Sequence, residues 1–365
     1  MAESFDIIQF LKSAVATGAS DEHLKVGHAP YIRKNGFIMK TNMPVLSKEE
    51  LERAVMSIAP TSLLDDIALT LDIDFMFEIR GCSRFRINYN RQLGMPALVV
   101  RNIPYGIPTL SDLNLPEVLN DIIKYQNGIV LVTGPTGSGK STTLASLINE
   151  IASNNAKHII TIEDPIEYVF NSSKSIISQR QVGVDTASFS DGIKYSLRQD
   201  PDVIFIGEIR DRETMAAALK ASETGHLVFS TLHTNDAVQT INRIVNMFEE
   251  SNRELVRKQL SDTLRATIAQ KLVYSEARDT RYPACEIMVV TPTIRDYIQK
   301  GNNDEIYTLL SENTIDDMIS LNTSLAKLAI SGFITQEEAL ANSNDVNELE
   351  KMFRGVYQGT KAYYE

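Results

Sequence analysis

Eight consecutive residues constrain this chain more than any others: Gly134-Pro135-Thr136-Gly137-Ser138-Gly139-Lys140-Ser141. They fit G-x-x-x-x-G-K-[ST]. The short apolar run Ile129-Val130-Leu131-Val132 precedes them, as suits a strand buried in a parallel sheet. Leu144, Leu147, Ile148 and Ile151 follow at the i, i+3, i+4, i+7 spacing of one helix face. Strand, glycine turn and helix in that order are what a backbone needs to wrap closely around phosphate. Glycines permit the tight path, and the amides at the helix start point at the anion. Lys140 can reach β- and γ-phosphates as a point charge, and the Ser141 hydroxyl can hold Mg²⁺.

The remaining sequence narrows the class. A length of 365 residues suggests two domains, and a net charge of −11 argues against a wide nucleic-acid footprint. No apolar run approaches the ~18–20 residues of a membrane span. The segment Met1-Ala2-Glu3-Ser4-Phe5-Asp6 lacks a basic start and apolar core, so a cytoplasmic protein is expected. Cys82 and Cys285 form no CxxC pair, so neither a zinc site nor a redox motif is expected, and both read as small buried residues.

Residues 1–102 read as a small α+β domain. Ile7, Phe10, Leu11 and Ala14 make a helical stripe closed by Gly18. Asn35-Gly36 between Tyr31–Lys34 and Phe37–Lys40 predicts a hairpin, and Ser47 with Glu50 a capping box. Alternation returns at Phe75, Phe77, Ile79 and at Phe85, Ile87, Tyr89. Arg84 and Arg86 share one strand face. They suit either a solvated polar face or a guanidinium pair aimed at a phosphate bound elsewhere. Residues 103–115, with Pro104, Gly106 and Pro108, predict a linker. Residues 116–365 then alternate apolar strands and amphipathic helices, the pattern of an α/β fold.

Two strands deliver carboxylates near the glycine loop. Ile159 to Ile162 leads into Glu163 and Asp164 before Pro165, and Val203 to Ile206 leads to Glu208. Ligands in open α/β sheets sit at those carboxyl ends, which makes Glu208 an expected Mg²⁺ partner. A third strand is bracketed by His226 and His233. His233, at its carboxyl end, could donate to a phosphate oxygen, and Arg243 lies on the helix after it. From about residue 253 the sequence reads as mainly helical. Thr335 and Glu338 form a second capping box, and Val346, Leu349, Phe353 and Val356 a closing amphipathic helix.

Taken in order, Gly134–Ser141, Thr161–Glu167, Asp202–Glu208 and Gly225–Thr234 resemble the P-loop, Asp box, atypical Walker B and His box of the secretion ATPases. Within that superfamily they are similar to the PilT-type motors that retract type IV pili. Gly18-Ala19-Ser20-Asp21 with His23-Leu24 resembles the family's N-terminal signature, and Gly81–Gln92 its arginine strand. Assembly and type II secretion relatives usually carry a tetracysteine motif, absent here, and an extra N-terminal domain, for which this length leaves no room. Retraction motors carry an AIRNLIRE-like helix. Thr293–Lys300 keeps the Ile-Arg pair and the later isoleucine with different flanks, which leaves open a stand-alone motor or an accessory paralogue.

The resemblance implies a RecA-like P-loop ATPase domain, a smaller N-terminal PAS-like domain and a helical C-terminal region. It implies ATP and Mg²⁺ bound through Gly134 to Ser141 and Thr142. Ser141 and Glu208 would hold the metal and Glu163 would polarise the attacking water, or the two glutamates exchange roles. His233 would sense the γ-phosphate, while Arg84, Arg86 and Arg243 would neutralise phosphate charge across a domain or subunit boundary. It further implies a homohexamer that works peripherally at the inner membrane with a pilus platform protein and, optionally, a second pilus ATPase. No nucleic-acid partner is expected.

Overall fold

Two sheets of opposite character organise the molecule in a computed structural model that describes residues 5–69, 71–171, 173–311 and 317–355. The chain divides into units 1–106 and 107–365, each built on one sheet.

The first unit opens with α1 (Ile7–Ala16), capped by the Asp6 carboxylate, and Ile7, Phe10, Leu11 and Ala14 bury the expected stripe. Strands β1 (Asp21–Lys25), β2 (Tyr31–Lys34) and β3 (Phe37–Lys40) follow. Asn35 and Gly36 take φ of 52° and 94°, the left-handed values a two-residue hairpin turn needs. The capping box at Ser47 starts α2 (Lys48–Ile58), and α3 (Leu64–Leu69) follows. Strands β4 (Asp72–Ile79), β5 (Ser83–Gln92) and β6 (Met95–Pro104) complete an antiparallel sheet ordered β3-β2-β1-β6-β5-β4. Phe85, Ile87 and Tyr89 on β5 are buried in one core with Leu11, Leu51 and Val55 of the helices. Each such side chain contributes about 1.5–3 kcal/mol by leaving water. The alternate residues Arg84 and Arg86 lie on the opposite face.

The second unit begins with α4 (Leu119–Ile122) and β7 (Gly128–Thr133), and its core also takes in Leu110 and Leu115 from the Pro- and Gly-containing stretch. Then come α5 (Lys140–Asn154), β8 (His158–Glu163), β9 (Ile176–Gln181) and α6 (Phe189–Ser196). Next are β10 (Val203–Ile206), α7 (Arg212–Glu223), β11 (Leu227–Leu232), α8 (Ala237–Asn246) and α9 (Arg253–Thr263). Every residue of β7, β10 and β11 is buried, as expected for parallel strands with helices on both faces.

After α9 the structure departs from the expected helical run. Strands β12 (Leu264–Ser275) and β13 (Thr280–Val289) extend the sheet to the order β13-β12-β7-β11-β10-β8-β9. β12 pairs in parallel with β7 and antiparallel with β13. A strand covered on both sides shows no clean two-residue period, which hid it. Pro283 sits on β13, the sheet edge, where a missing N–H is tolerated. Helices α10 (Pro292–Lys300), α11 (Asn303–Ser311), α12 (Leu321–Ile330), α13 (Gln336–Asn342) and α14 (Val346–Phe353) close the chain. The Thr335 capping box forms as expected. In α14 Leu349 is buried and Val346 exposed; Val356 lies outside the described residues.

Candidate active site

The glycine loop leaves β7 and enters α5 at the carboxyl end of the parallel sheet. Gly139 is the N-cap of α5 in the left-handed region, φ 88°, and no side chain caps the helix there. Gly134 has φ 141°, and a Cβ on it would collide with the Gln270 carbonyl. The loop therefore packs against β12 with no room for a side chain at that point. Lys140 is largely buried, and its Nζ donates to the carbonyls of Gly134 and Pro135, both at 2.9 Å. Burial lowers its affinity for the proton, and Glu208 and Glu167 raise it again. Ser138 Oγ is buried with no hydrogen-bond partner, a donor that a phosphate oxygen would satisfy. Thr142 Oγ1 lies 3.0 Å from the Tyr168 hydroxyl.

The two acids stand at adjacent strand tips. β8 pairs with β10 up to Ile162 and Ile206, and Gly207 N–H donates to Ile162 O at 2.8 Å. Glu163 ends β8 and is 5% exposed. It accepts from Thr161 Oγ1 at 2.7 Å, from Gln179 Nε2 at 3.2 Å and from Glu167 N–H at 3.4 Å. Burial pushes its carboxyl up to about 7, against those hydrogen bonds. Glu208 pairs with Arg210, and its Oε2 lies 3.6 Å from His233 Nε2. Thr231 Oγ1 donates to Gly207 O at 2.8 Å, which ties the turn carrying Glu208 to the strand leading into His233.

The loop, Glu163, Glu208 and His233 thus converge at the carboxyl ends of the neighbouring strands β7, β11, β10 and β8. Other expected residues lie elsewhere. Arg243 is exposed on α8 and forms no ion pair among the described residues. Arg84 and Arg86 belong to the first unit. Arg84 lies opposite Glu78 and buries a partnerless Nη1, and Arg86 lies opposite Met76 with its Nε 4.0 Å from Asp74. His226 is structural: its Nδ1 lies 2.9 Å from Ala221 O and 3.1 Å from Thr224 Oγ1, at the amino end of β11. Cys285 is a buried thiol pushed up to about 12, whereas Cys82 is only half-buried.

Residues 109–301 match the family described as Type II/IV secretion system protein. The chain is 40% identical over 335 residues to the type IV pilus retraction ATPase PilT of Pseudomonas aeruginosa, covering 92% of this chain and 97% of that protein. The chain belongs to the PilT family of secretion ATPases. It is also 38% identical over 346 residues to the type IV pilus ATPase PilU of the same organism, covering 95% of this chain and 91% of that one. A crystal structure of the pilus retraction motor PilT with bound ADP superposes with a TM-score of 0.85 at 42% identity, covering 95% of this chain and all of that one. The fold is the mixed α/β fold of PilT, with its RecA-like ATPase unit.

Several contacts around this PilT-family site escaped the sequence reading. Gln270, Gln179 and Tyr168 reach the loop, Glu163 and the first turn of α5 from distant segments, and Arg210 reaches Glu208 from two residues away. Their only sequence signal is a polar or aromatic residue beside an apolar strand, a weak mark by itself. Among the described residues no group of three or more His, Cys, Asp or Glu could hold a metal, and no helix is long and apolar enough to cross a membrane.

Proposed function

We propose that this PilT-family chain is a motor ATPase that hydrolyses ATP to retract a type IV pilus. The observation that carries this reading is the full-length correspondence with a retraction ATPase, on a chain that keeps the glycine loop, both strand-tip acids and His233 together. Phosphoryl transfer needs positioning and charge stabilisation more than covalent chemistry. The amides from Thr136 to Gly139 and the Lys140 ammonium hold the phosphates. Glu163, pushed up to about 7, suits a carboxylate that takes a proton from an attacking water near neutral pH. His233 stands beside Glu208 and reads the γ-phosphate. Arg84 and Arg86, and Arg243 with them, neutralise phosphate charge across a domain or subunit boundary.

Ser141 and Glu208 offer hydroxyl and carboxylate oxygen, the hard donors that Mg²⁺ takes. When bound there, magnesium neutralises phosphate charge. The working form is a homohexamer in the cytoplasm, peripheral to the inner membrane through a pilus platform protein. The residue ranges 1–102, 103–115 and 116–365 serve as the PAS-like domain, the linker and the ATPase domain with its closing helices.

A second reading, an accessory motor acting with another pilus ATPase, is favoured by the 38% identity to PilU and by the flanks of Thr293–Lys300. Deleting the gene and scoring pili and surface motility tests both. Abundant pili without movement support retraction, absent pili refute it, and retained movement that is lost only when a second motor is also removed supports the accessory role.

A further inference from the structure

We propose that Gln270 is a positioning residue that aims the phosphate loop. It is a buried amide on β12, the strand beside β7. Its Nε2 donates to Ser138 O at 2.7 Å, and its Oε1 accepts from Thr143 Oγ1 at 2.7 Å. One side chain therefore bridges the glycine loop and the first turn of α5. A trans peptide points its C=O and N–H in opposite directions. Holding Ser138 O on Gln270 turns the Gly139 N–H away from β12 and leaves it for an anion at the helix start.

The fit is close. A Cβ at Gly139 would lie 2.7 Å from Gln270 Nε2, and one at Gly134 would strike the Gln270 carbonyl. Glycine at both positions lets the loop lie on Gln270, and the amide fixes its orientation. The task needs a donor and an acceptor on one side chain. Glutamate of the same length offers an acceptor where Ser138 O requires a donor, and it adds negative charge beside the phosphates.

This inference rests on the reading that ATP binds the loop from Gly134 to Ser141. ATPase kinetics, binding of a fluorescent ATP analogue and thermal melting on Gln270→Met, Gln270→Glu and Thr143→Val test it, with Lys140→Ala as control. Gln270→Met should raise KM about tenfold with a smaller fall in kcat, beside a modest fall in melting temperature, because one or two buried hydrogen bonds are lost. Gln270→Glu should be worse than Gln270→Met, and Thr143→Val milder, about threefold in KM, because it keeps the Ser138 bond. Wild-type KM in Gln270→Glu, or a fall in melting temperature alone, overturns the proposal. If the Gln270 variants do not fold, unchanged KM in Thr143→Val overturns it. Normal ATP binding by Lys140→Ala would instead refute the loop as the nucleotide site.

Discussion

The two sheets place their reactive groups in opposite ways. In the second unit, strands such as β7, β10 and β11 are buried on both faces, so polar chemistry can emerge only at their ends. Lys140, Glu163, Glu208 and His233 all stand at or just beyond those ends. In the first unit the helices cover one face, and the antiparallel sheet carries Arg33, Arg84, Arg86 and Arg101 on the other. There Arg86 lies opposite Arg101, whose Nε is 2.9 Å from Asp21 Oδ1, and Arg33 approaches the same carboxylate at 3.9 Å. A parallel sheet builds a point, suited to gripping one phosphate chain. An open antiparallel face builds an area, suited to presenting cations to something that arrives from outside.

Substitutions can break or sharpen this contrast. The largest effect is expected at the parallel tip. Lys140→Ala should cut ATP turnover by more than about a hundredfold with melting unchanged, and wild-type turnover in a steady-state assay would remove the site. Glu163→Gln and Glu208→Gln should each cost about a hundredfold in kcat. Nucleotide affinity at varied magnesium separates them, since only the metal partner should change that dependence. On the open face, Arg84→Ala and Arg86→Ala should lower kcat about tenfold each while leaving ATP affinity near wild type. Two fully active variants would reduce these arginines to a solvated face.

The smallest effect concerns stability. Glu22 on β1 is fully buried beside Asn102, whose Nδ2 donates to it at 2.7 Å, and burial pushes its carboxyl up to about 8. Below the ordinary value of 4.5 the group is protonated in folded and unfolded chains and costs nothing. As pH rises towards 8 the unfolded chain ionises first, so folding weakens. Melting temperature should therefore fall from pH 5 to 9, and Glu22→Gln should flatten that fall without touching turnover. Glu163 and Glu286, both pushed up to about 7, add to the same fall, and His23, held below its ordinary value chiefly by burial, opposes it. Parallel curves for wild type and variant would show that Glu22 does not titrate in this range.

Much of this was legible in the sequence because its causes are local. The turn at Asn35-Gly36, the caps at Ser47 and Thr335, and the strand, glycine loop and helix around Lys140 each depend on residues within a few positions. What stayed hidden depends on distance. Gln270 meets Thr143 across 127 positions and Ser138 across 132, and its strand is masked by burial on both faces. Leu110 and Leu115, within the proposed linker, are buried in the second core, a placement that no neighbouring residue states. The contact between Glu208 and His233 needed the order of β10 and β11, which no spacing in the sequence states.

Strand β12 is held from both sides along a few residues. The residue after Gln270 is Lys271, and its Nζ donates to Asn342 O at the end of α13. Farther along, Val273 shares a cluster with Leu325 of α12 and Leu349 of α14. A single peptide bond therefore separates the residue that grips the nucleotide loop from the residue that grips the closing helices. The glycine loop and the closing helices thus share neighbouring anchor points on one strand, so a substitution at either anchor is expected to be felt at the other.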